Sequence, residues 1–423
     1  MSAIAVIGTG YVGLTTGACF AHLGHHVVCA DVDAGKVERL SRGEVPILEA
    51  GLEELLRAGL DSGRLSFVVG NATAAAGCQF AYLCVPTPQG ADGSADLSYI
   101  EDVAREIGPA LPDEAIVVNK STVPVGSTRV VERVLGRDDV KVVSNPEFLR
   151  EGSAVHDFLH PDRIVIGSDD HAAAIRVAAL FEGIQAPLIV TDPASAETIK
   201  YACNAFLAAK VSFVNAIANV CEAVGADVRE VVLGMGYDKR IGFEFLKPGP
   251  GWGGSCFGKD TRALIRLSED AGYDFGLLRG VIEVNDEQFD RVIAKVEQAA
   301  GGSLEGAVVA VWGLTFKART DDLRESPAVA VVHGLRARGA TVQAYDPAVH
   351  GALEGVDVRP DPYAACEGAA VLVVLTEWDE FRWLDFDKVR SAMREARIVD
   401  ARNLLDPAAV RRRGFDYQGI GRS

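Results

Sequence analysis

Cys256 is the residue best placed to do chemistry. It stands in residues 248–260, PGPGWGGSCFGKD, with Lys259 and Asp260 three and four positions on. A cation close to a thiol favours the thiolate, and the thiolate is the nucleophile. Five glycines in these thirteen residues give positive φ and close backbone approach, and they exclude a packed core or a helix over the stretch. It reads as a substrate cradle around a nucleophile, or as a surface loop with an incidental cysteine. The remaining polar residues separate these readings.

Lys200 and Asn204 are four apart in a segment that begins at Asp192-Pro193, a helix start with proline in the first turn. A helical pattern continues for about 30 residues, or ~45 Å, to Gly225. Ile199, Phe206, Val214, Ile217 and Cys221 form its apolar stripe, and so long a helix bridges domains and could pair with its own copy. Lys200 and Asn204 would project side by side as two hydrogen-bond donors. Glu147 and Glu151 lie in SNPEFLREG after an apolar strand at residues 140–144; if helical, they share one face.

The elements needed to position these groups begin at the N-terminus. Residues 3–7 read as a buried strand, followed by Gly8-Thr-Gly10-Tyr11-Val12-Gly13, a helical run, and a strand ending at Asp31. Glycines at that spacing between strand and helix bring backbone amides to a dinucleotide pyrophosphate, and the acid about 20 residues on holds the ribose hydroxyls. An acid there selects NAD over NADP, whose 2′-phosphate it would repel. Lys36 either approaches the adenosine or is a solvated helix lysine. Further strands at 80–85 and 116–120 end at Thr87 and at Ser121-Thr122. Ligands bind beyond the carboxyl ends of such strands, so Thr87, Thr122, Glu147 and Glu151 should face a cofactor cleft; the alternative for each is a helix cap.

A third unit begins near Leu304. Strands at 308–312, 341–345 (ending at Asp346), 370–375 and 398–399 repeat the α/β pattern without the triple-glycine fingerprint. It should therefore bind something other than a dinucleotide. Residues 227–290 read as mostly helical, interrupted by a loop from Tyr237 to Asp260. Arg240 and Lys247 in that loop are phosphate or sugar contacts, or surface charge.

Composition sets the class. The chain has 423 residues, 48% hydrophobic and 24% charged, with a net charge of −17. That is ordinary for a multidomain globular enzyme and argues against a general nucleic-acid binder. The Arg411-Arg412-Arg413 run reads as a solvated face. Eight cysteines include no CxxC pair, so reduced thiols and a cytoplasmic setting are expected. No secretory signal is legible at the start, and no apolar run approaches the ~20 residues that span a bilayer. His22, His25 and His26 read as a surface turn, and His156 and His160, four apart, lack a third ligand. No metal is expected.

GTGYVG, KSTVPVGST, SNPEFLREG, PDRIVIG, IKYACN and GWGGSC, in this order, resemble the UDP-glucose/GDP-mannose dehydrogenase family across essentially the whole chain. The resemblance implies two Rossmann-like doubly wound domains joined by a central helical domain: residues 1–192 binding NAD, 193–300 carrying the cysteine loop and the dimer contact, and 301–423 binding the UDP end of the substrate. It implies oxidation of a sugar nucleotide's primary alcohol to a carboxylate with two NAD. A thiol explains how one site can do this: Cys256 captures the aldehyde as a thiohemiacetal, which is oxidised to a thioester and hydrolysed. Lys200 and Asn204 would stabilise the oxyanion, Glu147 would act as general base through a water, and Asp260 and Thr122 would position that water.

By resemblance, Glu151, Lys259 and Arg324 lie on the NAD side. Phe148, Leu149, Arg150, Arg240, Phe245, Leu246, Lys247, Gly253, Lys317 and Arg402 join Glu147, Glu151, Lys200 and Asn204 in holding the sugar nucleotide. The family's counterpart of Arg240 reaches into the neighbouring subunit, which implies a homodimer or larger homo-oligomer. The run DKRIG–FLK–GWGGSC looks most like members acting on UDP-glucose, with GDP-mannose next. A two-electron hydroxy-acid dehydrogenase would have no use for Cys256, and a non-catalytic sugar-nucleotide sensor would have none for the whole set.

One position departs from the family pattern: Gly258 stands where the loop usually has proline (GGSCFPKD). Proline fixes φ, so glycine leaves Cys256 and Lys259 less preorganised by about 1 kcal/mol of loop entropy. Gly258→Pro is expected to keep or raise turnover in an NADH-release assay; a folded but inactive variant would show that φ at 258 is not near that of proline.

Overall fold

The computed structural model describes residues 1–90 and 95–422. The chain divides into two compact units, Met1–Cys203 with Arg262–Gly272, and Asn204–Thr261 with Tyr273–Ser423.

In the first unit the strands are β1 (Ala3–Ile7), β2 (His26–Asp31), β3 (Leu65–Val69), β4 (Phe80–Leu83), β5 (Ile116–Asn119), β6 (Lys141–Ser144), β7 (Ile164–Gly167) and β8 (Leu188–Thr191). They form one sheet in the order β3-β2-β1-β4-β5-β6-β7-β8, parallel except where β7 runs against β6. The apolar runs read from sequence are strands buried on both faces. Ile4 and Val6 pack into one hydrophobic cluster with Leu14, Phe20 and Leu56, while Ala5 and Ile7 face a second with Ile100 and Val117.

The second unit repeats the plan. Its strands are β9 (Val308–Trp312), β10 (Thr341–Tyr345), β11 (Asp357–Val358), β12 (Val371–Val374), β13 (Arg397–Asp400) and β14 (Asp416–Gly419), all parallel in the order β11-β10-β9-β12-β13-β14. That is the doubly wound order, with the reversal between β9 and β12. Val309 and Val311 face one cluster, Ala310 and Trp312 the other.

The two sheets handle the same two positions differently. Gly8 after β1 and Gly313 after β9 both hold positive φ, +95° and +92°. A Cβ on Gly8 would meet the Cys84 carbonyl oxygen at 2.8 Å, and one on Gly313 would collide with Thr376. Each sheet then has an acid at the end of its second strand. Asp346 is 1% exposed and accepts from the Leu314 amide at 2.7 Å, the Thr315 amide at 3.0 Å and the Trp378 indole at 3.1 Å. Its acceptor capacity is taken by the protein. Asp31 keeps 13% of its side chain exposed. The second sheet thus has the topology of a nucleotide fold without an acid open to a ribose.

A single helix, Pro193–Val224, runs 32 residues, as the proline start and Gly225 end predict. It is long and apolar enough to cross a membrane by length and composition, but Glu197, Lys200, Asn204, Ser212 and Asn215 are buried along it, which marks a core helix. The expected apolar stripe needs correction. Val214 and Cys221 are buried, whereas Phe206 is 66% exposed. Phe206 belongs to an adjoining stripe with Phe213, Val220 and Val224, all exposed. One helical turn of 100° per residue places both sets within a broad apolar arc, so sequence spacing merged them.

Candidate active site

The glycine stretch is more ordered than its composition suggests. A helix, Gly254–Asp270, begins within it, so Cys256 sits in a first helical turn rather than in a loop. Gly254, at φ +84°, turns the chain into the helix, and its amide donates to the Glu325 carbonyl at 3.2 Å. A Cβ on Gly253 would collide with that same carbonyl. The preceding residues are held by buried polar side chains from two helices. Asn215 accepts from the Gly249 amide at 2.8 Å and Ser212 from the Trp252 indole at 2.8 Å. On the helix Gly276–Ala299, Asn285 accepts from the Trp252 amide at 2.7 Å and Gln288 donates to the Gly249 carbonyl at 2.9 Å. Glycine's entropy is thus offset by tertiary hydrogen bonds that helix propensity does not see.

Cys256 is half-buried, with Ser255 Oγ 3.6 Å from its sulfur. One turn on, Lys259 Nζ lies 2.6 Å from Asp260 Oδ1, and Asn204 Nδ2 donates to Asp260 Oδ2 at 2.6 Å. Asp260 is fully buried. A helix N-terminus and a neighbouring ammonium both favour an anion at the sulfur's position. Gly258, the fifth residue of this helix, has helical backbone, near the φ that proline supplies, but proline there would forfeit an intrahelical amide bond.

Phe245 (φ 61°) and Leu246 lead into this stretch. Phe245 and Trp252 flank Phe257, each with ring centres 6.2 Å away. Arg402, after β13, donates to the Phe316 carbonyl at 3.1 Å and the Leu375 carbonyl at 2.8 Å, and Lys317 lies 5.4 Å from the Phe316 ring centre. Arg402 thus bonds the segments that follow β9 and β12, and Lys317 follows Phe316 in the first of them. Arg240 and Arg324 are not gathered with them: each lies at the surface on a nearby aspartate, Asp238 and Asp322, both at 2.6 Å. Lys247 is exposed.

In the first unit, Lys200 Nζ sits 2.7 Å from Glu147 Oε1 with both side chains about 5–6% exposed. Burial pushes the Glu147 carboxyl up, but Lys200, the Leu149 amide and Lys120 together hold it below the usual carboxylate range. Residues 145–150 are irregular rather than helical, so Glu147 and Glu151 do not share a helix face. Two carboxylates fix that segment instead. Asp157 accepts from the Arg150 amide at 2.9 Å, and Glu49 accepts from the Gly152 amide at 2.7 Å and from the Tyr11 hydroxyl. Phe148 lies 3.7 Å beneath the Arg163 guanidinium, and Leu149 donates its amide to Glu147 at 2.6 Å.

The glycine turn after β1 fits a dinucleotide. Gly10 opens the helix Tyr11–His22, and a Cβ there would find nothing within 4 Å, leaving its amides accessible; Gly13 must be glycine because Gly8's carbonyl passes against it. Burial raises the Asp31 carboxyl, but bonds from Thr9, Lys36 (2.9 Å) and the Asp33 amide bring it down to about 2. Lys36 is therefore bound to Asp31 rather than solvated. Thr87 Oγ1 donates to the Thr122 carbonyl at 2.8 Å, bringing these two residues together. His156 and His160 stand with ring centres 5.0 Å apart, and among the described residues no group of His, Cys, Asp and Glu could hold a metal.

Residues 2–185 match the NAD binding domain of the UDP-glucose/GDP-mannose dehydrogenase family, 194–287 its central domain and 310–407 its UDP binding domain. The chain belongs to this family. It is 48% identical over 99% of both chains to a UDP-glucose 6-dehydrogenase of Rhizobium meliloti, and 45% identical to one of Pseudomonas aeruginosa over 99% of this chain and 97% of that one. Its fold superposes on a UDP-glucose dehydrogenase from the archaeon Pyrobaculum islandicum with a TM-score of 0.92, 40% identity, and coverage of 100% and 98%. The family's NAD binding domain and the glycine turn agree on the cofactor.

Sequence reasoning missed Glu49, Lys120, Glu197, Ser212, Asn215, Asn285 and Gln288. Their signal was polar residues at core-facing helical positions, such as Asn285 and Gln288 three apart. Asn285→Ala would remove a hydrogen bond at each side of Trp252. A loss of about 1–3 kcal/mol is expected in denaturant unfolding, with turnover falling further than stability explains because Cys256 is less fixed.

Proposed function

We propose that the protein oxidises UDP-glucose to UDP-glucuronate, a four-electron NAD-dependent reaction carried through a thiohemiacetal and a thioester on Cys256. One observation carries this reading: the thiol stands in a first helical turn immediately before the Lys259–Asp260–Asn204 chain of charge-assisted bonds. A two-electron dehydrogenase has no use for a nucleophile there. NAD, when bound, would supply the hydride acceptor for each oxidation. The Gly8–Gly13 turn and Asp31 would hold it, with Thr87, Thr122 and Glu151.

The chain's own groups do the rest. Glu147, kept ionised by Lys200, takes the alcohol proton through a water. Lys200 and Asn204, on successive turns of one helix, donate to the oxygen as charge develops. Cys256 sulfur then bonds the aldehyde carbon, so that the intermediate stays attached until it is oxidised to the thioester; water, oriented by Asp260 and activated by Glu147, cleaves the C–S bond and returns the thiol. Arg402 and Lys317 sit where the UDP end is assigned. Per UDP-glucose, the reaction consumes two NAD and one water and releases three protons.

The exposed stripe Phe206, Phe213 and Val220, at seven-residue spacing on the long helix, supports a homodimer through that helix, with Arg240 serving the partner's site. None of the eight cysteines is in a disulfide, which supports a cytoplasmic setting.

Exhaustive conversion should release two NADH per UDP-glucose, and Cys256→Ser should release one with free aldehyde trapped by hydrazine. A ratio near one in the unaltered enzyme would remove Cys256 from the chemistry; turnover of GDP-mannose alone would move the error to the second sheet's base recognition. Phe206→Asp with Phe213→Asp should give a folded monomer by sedimentation and reduce activity at least tenfold, the loss expected if Arg240 acts across the dimer.

A further inference from the structure

The first unit buries a second ammonium that the mechanism above does not use. Lys120, directly after β5, is 5% exposed. Its Nζ donates to Asn145 Oδ1 at 3.1 Å and lies 5.9 Å from the ring centres of Phe158 and Phe181. Asn145 is fixed in turn by donating to the Val165 carbonyl at 2.8 Å. Lys120 and Asn145 line a cavity of about 140 Å³ that also touches Phe148, Asp157, His156 and His160. Such a volume admits several waters. The two histidines at its mouth are exposed.

Lys120 belongs to the same charge cluster as the catalytic carboxylate. Lys200 and then Lys120 are the cations that keep Glu147 ionised, so Glu147 is a weak final acceptor for protons. The charged and titratable groups around Lys120 come from every element packed on it. Glu147 follows β6, Lys200 is on the long helix, and Cys84 follows β4 with its thiol pushed up to about 12 by burial. Across the cavity Asp157 is held by Arg150, and Arg163 lies on Phe148. Burial brings the Lys120 ammonium down to about 8, against Glu147 and Cys84, which raise it, and with Lys200, which lowers it. It can therefore exchange a proton near neutrality.

We propose that Lys120 is the proton relay of this site, carrying protons released at Glu147 through the water-sized cavity to solvent at His156 and His160. This rests on Glu147 being the general base. In the step, the resting Lys120 ammonium gives a proton to cavity water, and the amine so formed takes the proton from the Glu147 carboxyl, restoring both the carboxylate and the ammonium. No electrons move, and each of the three protons per turnover can leave by the same path.

Lys120→Met is expected to lower kcat about 10–100-fold, raise the solvent deuterium isotope effect, and be partly restored by methylamine, with rescue increasing as pH rises and free amine accumulates. A folded variant with no amine rescue and an unchanged isotope effect would reduce Lys120 to a structural cation and overturn the relay. Should this variant fail to fold, the surface pair His156→Gln with His160→Gln decides. Its kcat should become dependent on buffer concentration where that of the unaltered enzyme is not, and a buffer-independent rate would overturn the exit path. Full activity in Glu147→Gln would instead sink the general-base reading itself, which separates the two failures.

Discussion

The structure depends on the polar face of one helix. Along Pro193–Val224, five buried side chains at helical spacing hold three segments of the chain. Glu197 accepts from the Gly126 and Thr128 amides at 2.6 and 2.9 Å, Lys200 pairs with Glu147, and Asn204 donates to Asp260. Ser212 and Asn215 then bind Trp252 and Gly249 of the glycine stretch. A helix presents residues three and four apart on one side at fixed rise. Within each unit, segments that are irregular over part of their length, residues 145–150 and 248–253, are thus bonded to a regular element. Each of these groups is buried, so each interaction is strong when made and costly when broken. Glu197 shows the tension: burial pushes its carboxyl up while the Thr128 hydroxyl and the Thr128 and Gly126 amides pull it down.

The two sheets show how one topology acquires two uses. Both place a positive-φ glycine after the first strand, both reverse between first and fourth strands, and both end the second strand in an acid. What differs is where the acid's lone pairs go. Asp346 gives them to the loop after β9, making that loop stiff and closing the position to a ribose. Asp31 is held by Thr9 and Lys36 but keeps an open edge. A ligand-binding difference between two folds of the same order is thus decided by a few hydrogen bonds rather than by the sheet.

Much of this was legible in the residues. Glycine spacing, the acid after β2 and the apolar strand runs carry their own physics, and the proline and glycine at the ends of the long helix bounded it correctly. The buried pairing of Lys200 with Glu147 was not legible, because the side chains are 53 residues apart and only the fold brings them together. Nor was the helix at Gly254. Glycine content predicts a loop from local propensity, while the bonds from Asn215, Asn285 and Gln288 that override it are non-local. Phe206 failed for a third reason: an apolar residue on a helix reports an apolar arc, and sequence alone does not say which edge of that arc a neighbour covers.

The Lys200–Glu147 pair is poorly explained as a source of stability. Removing two charges from water costs several kcal/mol each, and well-packed apolar residues often do as well in such places. Its value lies in the state it imposes. Buried alone, Glu147 would protonate; with Lys200 and Lys120 it remains a carboxylate while buried. The same cations that keep it charged also weaken its hold on a proton, so the base role proposed for Glu147 calls for a group nearby that takes the proton onward. A buried amine beside a water-sized cavity meets that need. On that proposal the second ammonium and the cavity serve the same carboxylate as the first ion pair, and the three buried charges are read as one unit.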